Sequence, residues 1–189
     1  MFLAFNVQSR EDWLLENLLV FILSGPIVWL FLKGHLSLTS YVLVILFSSL
    51  HCIGAHYTYS LVPYDSWVQD LLGVSLNSGL GWQRNHYDRL LHFLWGLLFF
   101  KPLSEFLNFS ARLQGRPLVV FTFFTLIVGS TFYELIEWVA AIVLGGDLGV
   151  AYVGAQGDAW DAQKDQALAI FGSVCALICR SWFNRGRRV

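Results

Sequence analysis

Apolar and polar positions alternate along this chain on a long scale: five extended apolar runs, each closed by a short polar stretch. Roughly 20 apolar residues cross a bilayer as a helix. The runs fall at about 13–33, 38–60, 86–106, 117–144 and 160–183. Gly25-Pro26 predicts a kink in the first, which a membrane helix tolerates where neighbours satisfy the freed backbone. Pro63 ends the second, Pro102 lies near the end of the third, and Pro117 opens the fourth, which Gly145-Gly146 closes. Residues 61–85 carry Trp67, Leu71, Leu72 and Trp82, a pattern that suits a segment lying in the membrane interface. Residues 145–159 are rich in Gly and Asp and read as a loop. The expectation is an all-α, polytopic transmembrane helix bundle of about five spans, a single integral membrane domain over residues 1–189.

Composition agrees. The chain is 56% apolar and only 13% charged, where soluble domains carry about 25% charge, and its mean hydropathy is +0.58. No basic patch interleaved with aromatics exists, which excludes nucleic acid as a partner. Cys52, Cys175 and Cys179 are odd in number and lack a CxxC spacing, so no disulfide framework is expected. Cys175 and Cys179 share a helix face and read as small buried hydrophobes. The first residues lack the basic region of a signal peptide, so the first run is expected to stay as a span. Basic residues fix the orientation. Placing Arg180, Arg185, Arg187 and Arg188 in the cytoplasm puts Lys33, Lys101, Arg112 and Arg116 there too, leaving Arg10, Arg84, Arg89 and Lys164 outside. The N-terminus is then outside and the C-terminus cytoplasmic.

In that arrangement all the acids except Glu105 fall at the outer end of the runs. Asp88, Glu134, Glu137 and Asp165 lie inside or at the lip of apolar segments, with His51, His56 and His92. An ionisable group in lipid is costly unless it is paired or lines a polar cavity, so such groups mark a functional site. At about 1.5 Å per residue their depths overlap within one leaflet. Asp88/His92 and Asp161/Asp165 are four apart and Glu134/Glu137 three apart, so each pair shares a helix face. His51 and His56, five apart, do not. Carboxylates and imidazoles gathered in a cavity suit a divalent metal or general acid–base chemistry. They equally suit a buried salt-bridge network that fixes helix register, or proton or solute conduction. No EF-hand, HExxH or paired ExxH motif narrows the choice.

The strings Ile53-Gly-Ala-His-Tyr-Thr-Tyr59, Arg84-Asn-His-Tyr-Asp-Arg89 with His92, Tyr133-Glu-Leu-Ile-Glu-Trp138 and Gln156-Gly-Asp-Ala-Trp-Asp-Ala-Gln-Lys-Asp165 resemble the YjdF-like bacterial inner-membrane proteins, a domain of unknown function. The likeness covers the second run to the C-terminus. It departs at Lys164-Asp165-Gln166, where a less basic stretch ending in Asp-Met is expected. Asp88-Arg-Leu-Leu-His-Phe93, Glu134-Leu-Ile-Glu137 and Asp165 with Gly172 are more distantly similar to VanZ-like membrane proteins, which are linked to glycopeptide resistance. Ala169 and Glu137 stand where that family has amides. Both likenesses imply a multi-pass protein of the bacterial cytoplasmic membrane. Neither supplies a reaction.

The functional expectation is therefore a membrane enzyme of the outer leaflet, acting on membrane lipid or a lipid-linked envelope substrate. Asp88, Arg89, His92, Glu134, Glu137 and Asp165 are the candidate catalytic residues, with Arg89 countering substrate charge. His56, Asp88, His92, Glu134 and Asp165 are the candidate ligands of a divalent metal, the cofactor such a set would take. His51, Tyr57, Asn85, Asp158 and Asp161 support them. The alternative is a non-catalytic envelope or transport component, its buried charges conducting protons or fixing helix packing.

Overall fold

A computed structural model describes residues 2–146, 149 and 153–185, with backbone alone at Phe2 and 181–185. After a 3-10 turn at Phe2–Ala4, it contains α1 (Arg10–Leu32), α2 (Leu38–His56), α3 (Tyr64–Leu72), α4 (Leu76–Leu80), α5 (Tyr87–Ala111), α6 (Gly115–Leu144) and α7 (Asp161–Arg185). The fold is an all-helical bundle. Ser9 caps α1 by accepting from the Asp12 N–H at 3.2 Å, and Ser37 caps α2 through Ser40 in the same way. Such caps satisfy backbone donors that a helix start leaves open.

Both internal prolines are absorbed. Pro26 lies within α1, and α5 continues past Pro102 to Ala111, five residues beyond the expected end near 106. A proline removes one backbone hydrogen bond, and a helix held by its neighbours survives that loss. Five residues of the glycine-rich stretch read as a loop, 147, 148 and 150–152, lie outside the described residues.

Among the described residues four helices, α1, α2, α5 and α6, are long and apolar enough to cross a membrane by length and composition. α7 has 25 residues but carries Asp161, Lys164 and Asp165 in its first turns. It nevertheless runs alongside α5 in the same direction: Arg89 meets Asp161 near one end, and Arg180 donates to Ser104 Oγ at 3.2 Å towards the other.

Small residues make that pairing close. A Cβ on Gly96 would strike the Ala169 carbonyl oxygen and stand 2.6 Å from Ser173 N, and one on Gly172 would strike the Phe93 carbonyl oxygen. Close backbone approach at small residues is how helices associate where lipid and side chains are equally apolar. Below it, Phe100, Leu126 and Ala176 form an apolar core with Trp95, Phe99 and Phe123 around it, and Trp95 Nε1 donates to Leu126 O at 3.0 Å.

The outside is apolar as well. Phe21, Ile22 and Trp29 of α1 and Phe124, Phe132 and Ile142 of α6 are exposed, while Asp12, Glu16, His51, His92, Glu137 and Asp165 are buried. Apolar outside with polar inside is the distribution a lipid solvent favours. α3 and α4 bury no residue and expose Trp67, Leu71, Leu72 and Leu80, as an interfacial segment should. Asp65 closes that hairpin by accepting from Asn77 N at 3.0 Å and Ser75 Oγ at 2.8 Å, and these bonds, the Asn77 N–H foremost, hold its carboxyl below the usual range.

Candidate functional site

The positions 88, 92 and 96 on α5 and 165, 169 and 173 on α7 descend two helix faces at four-residue spacing. The close approach at Gly96 therefore brings His92 and Asp165 together about one turn away. One potential ligand atom each from Asp88, His92 and Asp165 lies within 4.8 Å of the others. His92 Nε2 is 3.7 Å from Asp88 Oδ1 and 3.3 Å from Glu134 Oε1, and Nδ1 is 3.3 Å from Ser130 Oγ. Asp165 Oδ1 and Glu134 Oε1 are buried without a hydrogen-bond partner, and the Asp165 side chain is only 2% exposed. A native structure seldom leaves such oxygens bare without a reason. They border a hollow of about 140 Å³ lined by Asp88, Glu134, Glu137, Trp138, Asp161 and Asp165 among others.

A clamp closes one side of the hollow. Arg89 Nη2 donates to Asp158 Oδ2 at 2.6 Å and to Asp161 Oδ1 at 3.0 Å. Arg84 reaches Asp161 through both its terminal nitrogens, at 2.5 and 3.2 Å, and Lys164 Nζ donates to Asp158 at 2.5 Å. Lys164 and the Trp160 N–H, with Arg89 behind them, hold the Asp158 carboxyl far below its ordinary range. Arg89, expected to counter substrate charge, is engaged by these two aspartates, while its Nε is 4.0 Å from Asp165 Oδ1. Asn85 braces the same rim: its side chain donates to Val62 O at 2.8 Å and its backbone N–H donates to Gln156 Oε1 at 2.9 Å.

One expected ligand stays out of the centre. His56 Nδ1 lies 3.2 Å from Leu3 O, and its ring packs edge-on against Tyr57, whose own ring meets Trp67. The five-residue spacing explains it, because His56 looks away from the face that carries His51. His51 is inside: Nε2 lies 2.9 Å from Glu16 O, and Nδ1 is hydrogen-bonded to the Tyr59 hydroxyl. Thr58 and Tyr59 take left-handed φ values of 51° and 52°, folding the chain back so that the Tyr59 ring covers Gly54. A Cβ at Gly54 would stand 2.7 Å from that ring.

The sequence reading missed two acids. Asp12 and Glu16, one turn apart on α1, are 1% and 4% exposed, and the Tyr133 hydroxyl donates to Glu16 Oε2 at 2.7 Å. Their four-residue spacing was the available signal. Their place before and just inside the first apolar run counted them among the outer acids without singling them out. With them, α1, α2, α5, α6 and α7 all contribute polar side chains to one layer.

The family described as predicted membrane protein (DUF2238) matches residues 1–186. The chain belongs to that family. It is 31% identical over 185 residues to the inner membrane protein YjdF of Escherichia coli (strain K12), covering 97% of this chain and 84% of that protein. No solved structure matches the chain significantly. The YjdF-like resemblance read from the four motifs thus extends through the first helix, and the DUF2238 match includes Asp12 and Glu16 as well as the residues around the hollow.

Proposed function

We propose that this protein sits in the bacterial inner membrane and binds a divalent cation at Asp88, His92 and Asp165 to act on a lipid or lipid-linked envelope substrate. One observation carries the reading: three ligand atoms from two helices within 4.8 Å of one another, beside buried Asp165 and Glu134 oxygens without a hydrogen-bond partner. Two carboxylates and an imidazole suit Mn, Fe, Zn or Mg. A cation there would polarise a phosphate oxygen or activate a water. Glu134, 3.3 Å from His92, is placed to exchange a proton with that water. A hollow of about 140 Å³ takes a phosphate-sized group rather than an acyl chain, and the exposed Trp138 on its wall leads to the lipid-facing surface. The name of the Escherichia coli relative supports the inner membrane, and the basic residues gathered at the opposite end support an outward-facing hollow.

A non-catalytic reading has one observation in its favour. Arg84 and Arg89 are both occupied by Asp158 and Asp161, as in a network that fixes helix register. Elemental analysis of the purified protein separates the two. The cation reading expects stoichiometric metal and a thermal transition raised by Zn, Mn or Mg, and it fails if neither is found. Glu134→Gln then discriminates further. It should keep metal and fold while abolishing turnover in the enzyme, but chiefly lower stability in a structural network.

A further inference from the structure

The end of the bundle away from the cation centre holds a second hollow, of about 490 Å³, between the α1–α2 turn, α5 and the start of α6. Its wall carries His35, Ser37, Ser104, Glu105 and Phe109. Glu105 is the one acid that the sequence assigns to this end, and it is taken up. Lys101 Nζ donates to one of its oxygens and the Ser37 N–H to the other. Lys33, Arg112, Arg116 and Arg180 remain. Lys33 adjoins Gly34, Arg112 lies one turn past Asn108, and Arg116 lies two residues before Leu118, all three neighbours being part of the wall. Among the described residues none of these four cations pairs with a carboxylate.

Arg180 reaches the wall itself. From α7 its Nη1 donates to Ser104 Oγ at 3.2 Å, and the planar guanidinium has further N–H groups to spare. The His35 ring stacks on Phe109 with centroids 3.6 Å apart, and its ring nitrogens make no hydrogen bond among the described residues. An imidazole carries an N–H in either tautomer. Donors and unpaired positive charge therefore meet at a hollow without a free acid, which suits an anion. A metal fits poorly, because among the described residues the one group of converging ligand atoms lies at the other end. The surroundings face lipid: Leu32 and Leu38 beside the turn, Phe106 and Phe109 on α5 and Phe121 on α6 are all exposed. A soluble anion would leave them bare, whereas acyl chains would cover them.

We propose that this hollow seats the phosphate of an anionic phospholipid, held by Arg180 and His35, with Lys33, Arg112 and Arg116 adding positive potential and the acyl chains lying along Phe109 and Leu38. Basic pockets between membrane helices take such headgroups. Its volume falls among ligand sites of roughly 300–1,000 Å³, so it has room for a headgroup. With Glu105 engaged, the hollow carries no free acid or base, and the lipid there is a bound partner and not a substrate. This goes beyond the cation reading and does not rest on it, since the two sites lie at opposite ends. Arg180 and Ser104 join α7 to α5, so the lipid clasps the two helices that also build the cation centre.

Native mass spectrometry of the full chain in zwitterionic detergent, mixed with phosphatidylglycerol or with phosphatidylcholine of the same acyl chains, tests this. The expected result is one phosphatidylglycerol retained per chain, with a raised thermal transition, while phosphatidylcholine is lost. Arg180→Gln keeps a donor for Ser104 but removes the charge, and should weaken retention by about fivefold, the attraction that one basic residue gives to anionic lipid. His35→Phe keeps the stack on Phe109 but removes the N–H, and should weaken retention as well. Equal retention of the two lipids overturns the proposal, and so does full retention of phosphatidylglycerol by both variants. Inorganic phosphate tests the source. If it displaces the lipid, or raises the transition as much, the hollow belongs to a soluble anion and the lipid assignment fails. Should the variants not fold, the comparison of the two lipids on the wild type decides alone. Metal content of the same samples keeps the two readings apart, because lipid retained without metal refutes only the cation centre.

Discussion

The two ends of the bundle treat their acids in opposite ways. At one end, Asp88, Glu134, Glu137, Asp161 and Asp165 line a hollow of about 140 Å³ with Asp12 and Glu16 buried in the same layer, and Asp12, Glu134 and Asp165 each keep a buried oxygen without a hydrogen-bond partner. At the other, a larger hollow of about 490 Å³ contains Glu105, with His35 and Phe109 stacked on its wall. That carboxylate is fully engaged, accepting from Lys101 Nζ at 2.5 Å and from Ser37 N at 2.8 Å. The lesson is that size does not find chemistry here. Unsatisfied buried oxygens do, because each costs on the order of 1–3 kcal/mol that folding alone gives no reason to spend.

The harshest way to break the comparison is to separate α5 from α7. Gly96→Leu places atoms against the Ala169 carbonyl and Ser173, where backbone rather than a flexible side chain must move. A loss of about 3 kcal/mol or more is expected, read as failure to accumulate in membranes or as a collapsed thermal transition. The same change should abolish cation binding, since His92 and Asp165 meet only through that approach.

Removing one carboxylate at each end comes next. Asp165→Asn should weaken divalent-cation binding by about 100-fold or more, at least the penalty that lesser second-shell changes reach, while the folded fraction is retained. Glu105→Gln should leave binding unchanged. Equal effects from both variants, measured by titration calorimetry in detergent, would erase the distinction between the ends.

A smaller effect is expected from Tyr133→Phe, which removes one hydrogen bond to a carboxyl at 2.7 Å. Stability should fall by about 1–2 kcal/mol, measured by reversible unfolding in mixed micelles, with cation binding intact.

The smallest effect concerns the rim. Asp158 is held below its ordinary range by Lys164, the Trp160 N–H and Arg89. A depressed carboxyl contributes stability that is present above its unfolded value of about 4 and is lost as pH falls through the folded one. Asp158→Asn should therefore lower the melting temperature slightly at neutral pH. That deficit should shrink as the pH drops well below 4, and one that grows with acidity would contradict the clamp.

The membrane class, the helical runs and the same-face pairing of Asp88 with His92 were all legible in the residues, because lipid imposes a length and an apolar composition and helix periodicity is a local property. The four-residue spacing also made Asp165 a reasonable member of the layer. Where Pro102 would fall within its helix was not legible, since a proline ends a helix or is absorbed by it according to neighbours that lie far away in sequence.

What the tertiary structure alone decided is partnership. Spacing placed Arg89 beside His92, but only the fold turned it onto Asp158 and Asp161. His56 was expected in the cluster and Asp12 was not singled out. The fold set the first against Leu3 and buried the second. Periodicity says which residues share a face. Which faces meet depends on where two backbones can approach, and here that is settled by Gly96 and Gly172, residues with no chemistry of their own.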